Sequence, residues 1–250
     1  MFFVRNFLAS SMCSKLFLCL VWTVLIGFSA QSQRLEDVVD RHFTAVGEDV
    51  LNTMRSVEVE MVERIETSGE RVYVITKKRP NKVRKQIEVR GYDYIAVFDG
   101  DAGQVMEGWS TDSIRDLTIK EQALLEIESA IGSPLSLAWL PDHRLEWIDE
   151  VMLAGLRYAQ VRMYFESGYY VDFFIDQTTY YLYKYVVYGD LNEEVDYEYF
   201  YSNFKRLGGF VLPYSFEKRK RGERTVYYTI RDMVFGGGVA ESMFRLTEKD

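Results

Sequence analysis

The chain has few of the residues from which most active sites are built. Its 250 residues include two cysteines, Cys13 and Cys19, and two histidines, His42 and His143. Both cysteines fall in an opening segment that is not expected to join the fold. Met1 to Lys15 carries Arg5 and Lys15 without an acid, and Leu16 to Phe28 is an apolar run too short to span a bilayer comfortably. Ala30-Gln31-Ser32 then meets the small-x-small rule of a secretory signal peptide, with cleavage expected after Ser32. Neither cysteine sits where a lipid-anchored precursor would place it. Residues 33–250, read as one exported domain, therefore contain no cysteine, which excludes disulfides, thiolate metal sites and cysteine nucleophiles. Such a domain must rely on its apolar core, and its length is ample for one.

Positive charge is also short. The chain holds 30 Lys and Arg against 38 Asp and Glu, and losing Arg5 and Lys15 takes the formal charge from −8 to −10. An acidic balance of this size argues against nucleic acid or an anionic membrane surface as the main partner. His42, beside Phe43, and His143, in Pro141-Asp142-His143-Arg144, are far apart and lack an HExxH frame, so no zinc site is expected. No G-x-S-x-G elbow is present. Gly236-Gly237-Gly238 leads into neither Lys-Ser/Thr nor a helix, so it reads as a connection to the last segment, Val239 to Leu246, and not as a phosphate loop. Asp172 and Asp176 share strand parity opposite Val171, Phe173 and Ile175, which predicts a solvent-facing pair. No axial-ligand or dinucleotide pattern supports a haem, bilin or flavin. Catalytic residues, metals and cofactors are accordingly all expected to be absent.

What the chain does have is aromatic β structure. About two-thirds of its tyrosine and phenylalanine lie between Leu156 and Phe235. That stretch splits into six alternating runs, separated by Glu166-Ser167-Gly168, Gln177-Thr178-Thr179, Gly189-Asp190-Leu191-Asn192, Leu207-Gly208-Gly209 and Lys220-Arg221-Gly222. The pattern predicts a consecutive antiparallel meander. Upstream, Arg34 to Gly47 has helical periodicity, and Glu48 to Met54 continues it after a break. Val57–Ile65, Glu70–Lys78, Lys82–Val89 and Tyr94–Phe98 read as strands, with turns at Thr67-Ser68-Gly69, Arg79-Pro80-Asn81 and Asp99-Gly100. The lysines and arginines from Lys77 to Arg90 read as solvated strand faces, with a basic ligand-facing rim as the alternative. Thr118-Ile119-Lys120-Glu121 has the form of a capping box; the helix after it is expected to end at Gly132, and a second starts at Ser133-Pro134. Arg144 to Val151 leads to a turn at Met152 to Gly155.

The predicted class is mainly β with some α: a strongly curved antiparallel sheet or unclosed β-barrel, with helices covering its concave side. Strand parity turns Phe173, Tyr181, Tyr183, Tyr185, Tyr197, Tyr199, Tyr214 and Tyr228 toward that side, beside Tyr201, Leu212, Phe216 and Ile230. Leu124, Leu125, Leu137 and Trp139 belong to the helical lid over them. An ordinary helix-on-sheet core is one explanation. A partly wet ligand cavity is the other, because each buried tyrosine needs a partner for its hydroxyl.

Several short motifs in order resemble the LolA-like superfamily of periplasmic outer-membrane lipoprotein-sorting proteins. They are the first helix through Phe43-Thr44-Ala45-Val46-Gly47, then Arg79-Pro80-Asn81-Lys82-Val83-Arg84, then Val97-Phe98-Asp99-Gly100 with Trp109 following. Phe174-Ile175-Asp176, Thr179-Tyr180-Tyr181-Leu182, Tyr201-Ser202-Asn203-Phe204 and Gly208-Gly209-Phe210-Val211-Leu212-Pro213 complete the series over nearly all of residues 33–250. Glu48 stands where the similar branch has a second glycine, and Asp101-Ala102-Gly103 lengthens the connection toward Trp109. The resemblance implies a periplasmic carrier that holds acyl chains of lipoproteins or other lipids in a hydrophobic cavity. It also implies inner- and outer-membrane lipoprotein-handling partners. The competing expectations are an envelope sensing module of the same fold and an exported hydrolase whose site assembles only in space.

Overall fold

The computed structural model describes residues 32–65, 69–110, 114–189 and 194–247. The predicted signal segment through residue 31, part of the turn at Thr67-Ser68 and the Asp190-Leu191-Asn192 breaker lie outside the described residues. Among the described residues, thirteen strands form a single antiparallel sheet. Six precede the helical insert: β1 (Ser56–Ile65), β2 (Gly69–Lys78), β3 (Lys82–Val89), β4 (Tyr92–Phe98), β5 (Gly103–Glu107) and β6 (Ile114–Asp116). Seven follow it: β7 (Arg144–Leu153), β8 (Leu156–Tyr164), β9 (Tyr170–Asp176), β10 (Leu182–Tyr188), β11 (Val195–Leu207), β12 (Phe210–Arg219) and β13 (Val226–Phe235).

The strand order is β6-β5-β4-β3-β2-β1-β13-β12-β11-β10-β9-β8-β7. First and last strands therefore pair in the middle, Val57 opposite Phe235 and Ile65 opposite Val226. β6 and β7 are left as the two edges, so the barrel is not closed. The chain winds outward to one edge, crosses to the other through its helical insert, and winds back. That insert is α3 (Ile119–Ser129) followed by a 3-10 helix, Pro134–Trp139. Helix α1 (32–46) and the single turn α2 (Glu48–Leu51) precede the sheet. No helix among the described residues is long and apolar enough to cross a membrane.

Local chemistry explains most boundaries. Thr118 caps α3 reciprocally with Glu121: Thr118 Oγ1 accepts the Glu121 N–H, and the Glu121 carboxylate accepts the Thr118 N–H. The helix stops at Ser129, three residues earlier than expected, and the following segment is irregular up to Ser133. Ser133 then caps the 3-10 helix. β7 runs two residues further than the sequence suggested, because Ala154 (φ 50°) and Gly155 (φ 84°) alone make the reversal. Two consecutive positive-φ residues are what a two-residue hairpin needs. β5 and β6 were not anticipated, being short and flanked by turn residues.

The face that carries the helices holds two apolar clusters, and α3 is wedged between them. Ala123 and Ile127 pack with Val161, Met163, Val171, Phe173, Ile175 and Val187 on the β8–β10 side. Leu125 packs with Val57, Val59, Ile75, Val83, Ala96 and Phe98 on the β1–β4 side. Burying each such side chain is worth roughly 1.5–3 kcal/mol. The lysine-rich segment is not simply a solvated face. Lys78 and Lys82 clamp Glu241 at 2.6 and 2.9 Å, and Arg84 donates to the Met243 carbonyl. They hold the C-terminal segment, whose Leu246 packs on Ile95, Val97 and Met106.

Candidate functional site

Two cavities lie between α3 and the sheet. The first, about 150 Å³, sits below the C-terminal end of α3, between α1 and strands β1, β2 and β10–β13. Its wall is mostly apolar, with Val59, Met61, Ile75, Ile127, Leu212 and Phe216 contributing, and Lys77 enters it from β2. The second, about 510 Å³, lies below the first turns of α3 and is lined by tyrosines and charged groups as well as apolar side chains. Its size is within the range usual for ligand pockets. Met61, Phe216 and Glu128 belong to both walls and form the partition.

The structure distributes the anticipated site residues unevenly. Tyr185 lines the first cavity, while Tyr199, Tyr228, Leu124 and Leu125 line the second. The Tyr185 and Tyr199 rings stack at 4.4 Å across β10 and β11, and Tyr228 stacks on Phe216 at 4.7 Å. Burial pushes the Tyr185 and Tyr199 phenols well up. Phe173 and Leu137 are fully buried in the packed cluster beside the first cavity and line neither cavity. Tyr197 joins that cluster at its rim, under Lys218. Tyr181 packs on Phe204, whose ring lines the first cavity. Trp139 is 56% exposed and lies against Phe43 of α1 at 4.8 Å, outside both cavities.

Two expected inward residues are elsewhere. Tyr183 stacks on Tyr158 at 4.7 Å and meets Phe200 edge-on, in a separate cluster with Phe174 and Val186 on the outer face of the sheet. The cause is a bulge: Leu182 pairs with Ile175 and Lys184 with Phe174, so Tyr183 is the extra residue and strict alternation fails there. Tyr214 lies under the Lys205 ammonium at 3.9 Å and lines neither cavity. It stands opposite Asn203, whose φ of 52° interrupts the β11–β12 ladder. Tyr201, Phe204, Leu212, Phe216 and Ile230 do line the first cavity. Alternation along Val57–Ile65 already sets Val57, Val59 and Met61 on one face, whereas Lys77 could have been found only by applying parity to β2 as well.

Asp172 corrects a further expectation. It is 0% exposed, and it accepts from Arg162 Nε at 2.6 Å and Nη2 at 2.9 Å, from Gln160 Nε2 at 2.7 Å and from the Tyr188 hydroxyl at 2.7 Å. Cross-strand partners from β8 and β10 bury it on the outer face. Asp176 instead accepts the Thr178 and Thr179 N–H groups of the adjoining turn.

The helical insert is fastened at Ser133. The His42 ring is buried; its Nδ1–H donates to the Tyr180 carbonyl at 2.7 Å, so Nε2 must accept from the Ser133 hydroxyl at 2.6 Å. Burial lowers the imidazole pKa to about 4, which keeps it neutral. Glu48 Oε2 accepts the Ser133 N–H at 2.9 Å, and its other oxygen lies 3.8 Å from Arg79 Nη2. Burial raises the Glu48 pKa against the opposing effects of Ser133 and Arg79. A Cβ on Gly132 would lie 2.4 Å from that carboxylate, so any larger residue there would force Glu48 to move. Glu48 is thus a structural anchor, a role not evident in the sequence. The second histidine, His143, lies 3.1 Å from Glu126 Oε1 and edge-on to Phe165, away from both cavities. Among the described residues, no group of three His, Asp or Glu side chains is arranged to hold a metal.

No protein-family model matches the chain, and no curated protein sequence does. Solved structures do. A LolA superfamily protein from Nitrosomonas europaea superposes with a TM-score of 0.57 at 12% identity, covering 80% of this chain and 98% of its own. An outer membrane lipoprotein-sorting protein domain from Vibrio parahaemolyticus gives 0.56 at 11% identity, covering 86% and 96%. A DUF1329 family protein from Desulfovibrio piger gives 0.54 at 13%, covering 83% and 97%. At these identities the likeness is one of fold, and it extends over most of the chain.

Proposed function

We propose that this chain, which has the fold of LolA superfamily and outer membrane lipoprotein-sorting domains, holds acyl chains of a lipid or lipoprotein between its helical insert and its sheet and carries them across a periplasm. The observation that supports this reading is the first cavity. Its wall is mostly apolar, it lies at the crossing of α1, α3 and the sheet, and it adjoins a larger, more polar cavity.

Each acyl methylene buried there would contribute roughly 0.8 kcal/mol, so a short length of chain suffices for useful affinity. The binding step needs no reactive group. The insert is the natural moving part because it alone joins the two sheet edges. Shifting α3 would enlarge both cavities, while the contacts at Ser133 hold its far end to α1 and α2. The reading treats residues 33–250 as a single exported lipid-binding domain, with membrane-bound lipoprotein-handling proteins as donor and acceptor.

Native mass spectrometry of gently purified protein, followed by lipid extraction, tests the reading. Near-stoichiometric phospholipid, fatty acid or acylated peptide is the expected result. An apo mass that persists after lipids and lipopeptides are offered would sink it and would favour an envelope module that binds protein.

A further inference from the structure

The charged groups around the two cavities do not balance. Glu63 is held by Arg71 at 3.6 Å and by the Tyr73 hydroxyl at 2.9 Å. Glu128, on the partition, is bound by Lys85 at 2.8 and 2.9 Å. Glu121 is turned to Arg115 and its own helix cap. Two lining cations remain, Lys77 in the first cavity and Lys218 in the second.

Neither forms an ion pair with a carboxylate among the described residues. Lys77 Nζ donates to the Ala130 carbonyl at 2.8 Å, which engages one of its three N–H groups. Lys218 Nζ lies over the Tyr197 ring at 3.9 Å and near the Tyr199 ring at 5.8 Å. Desolvation is the largest effect on both ammonium groups and disfavours their charge; Lys85 repels both, and the Glu128 carboxylate attracts both without offsetting the burial. The lining holds four cations against three carboxylates, and two inward ammonium groups without an ion-pair partner are costly unless something negative joins them.

We infer that the cavity ligand is an anionic amphiphile, whose carboxylate or phosphate headgroup is received between Lys77 and Lys218 at the Glu128 partition while its chain enters the apolar cavity. This rests on the acyl-chain reading above and specifies the ligand's charge. The headgroup would use N–H donors that the protein leaves free, and its charge would offset the repulsion that Lys85 exerts on both lysines. The tyrosines of the second cavity offer hydroxyl donors beside it.

The test compares palmitate with 1-hexadecanol, which shares the chain but not the charge, using the purified protein and isothermal titration at neutral pH. The expected result is that palmitate binds at least about tenfold more tightly, a difference of ~1.4 kcal/mol. In a Lys77→Met, Lys218→Met variant, that preference should fall to near unity while hexadecanol affinity is kept. Lys218→Arg, which retains the charge, should preserve most of it, and circular dichroism with urea unfolding confirms that each variant is folded. Equal binding of the two probes by the unmodified protein, or a preference that survives the double substitution, overturns the charge inference alone. Binding of neither probe overturns the acyl-chain reading and this inference with it. Inorganic phosphate is titrated in parallel; saturable binding of phosphate, with no added affinity from a chain, would make this a free-anion site and also refute the proposal.

Discussion

Glu48 reaches across from the turn after the first helix and accepts the backbone N–H of Ser133, 85 positions later, at 2.9 Å. Through this bond and the His42–Ser133 bond, the start of the chain holds the crossing between the two sheet edges. Gly132 lies directly under the carboxylate. Glu48→Ala should therefore lower the unfolding free energy by about 1–3 kcal/mol, the cost of leaving a buried donor unsatisfied. Gly132→Ala should be destabilising alone and less so in the Glu48→Ala background, because the clash is with the side chain removed. Urea unfolding of the four proteins measures this coupling; strict additivity would show that the two residues act separately.

The His42 ring is neutral when folded, with its pKa lowered to about 4 from 6.5 in the unfolded chain. Its contribution to stability is fully present above pH 6.5 and is lost as pH falls through 4, on the order of 3 kcal/mol in total. Glu48 has the opposite sign: its raised pKa gives a contribution that is present below 4.5 and lost as pH rises through the folded value. Stability measured from pH 7 to 4 should decline on the acid side, and His42→Gln should flatten that decline. An unchanged slope in the variant would assign the effect to other groups.

Tyr183 and Tyr199 lie on opposite faces of the sheet although simple alternation puts them on one. Tyr199→Asp should weaken retention of a fluorescent fatty acid, because its ring lines the second cavity. Tyr183→Asp should leave retention unchanged and instead cost stability through loss of packing with Tyr158 and Phe200. Weakened retention in both variants would mean that the bulge does not set the facing of β10.

Asp172 collects four hydrogen bonds from Arg162, Gln160 and Tyr188 without touching either cavity. Removing one side of a buried pair leaves the other charge uncompensated, so Asp172→Ala should cost about 3–5 kcal/mol. Fatty-acid affinity measured where the variant is still folded should match the parent protein. Reduced affinity under those conditions would place Asp172 in the binding function.

Lys120 at the start of α3 pairs with Asp196 on β11, so this contact spans the insert and the sheet. Because residues 33–250 contain no cysteine, cysteines introduced at 120 and 196 of that domain can be joined by a short, reducible bis-maleimide. Loading of fatty acid should stop on cross-linking and return on reduction. Unimpaired loading of the cross-linked protein would rule out movement of α3 as the gate.

Much of this architecture could be read directly from the residues. Alternation and turn residues located the six-strand meander, Thr118 and Glu121 marked the start of α3, and the absence of cysteine after Cys19 put the burden of stability on the apolar core. These are local signals, carried by a residue and its neighbours within a few positions. Parity also placed Tyr185, Tyr199 and Tyr228 on the cavity side, because their strands keep step there.

Only the tertiary structure could decide what depends on registers and on partners distant in sequence. Whether Tyr183 faced in or out depended on one extra residue opposite β9, and Tyr214 on the backbone turn at Asn203. Asp172 looked solvated because the cations and hydroxyls that bury it come from two other strands. The pairing of β1 with β13, the anchoring of Ser133 by Glu48 and the two lysines left without acids likewise join segments far apart in the chain. Composition and periodicity constrain which face a residue can occupy, but the position and charge of the cavity follow from how the open sheet curves around the helical insert.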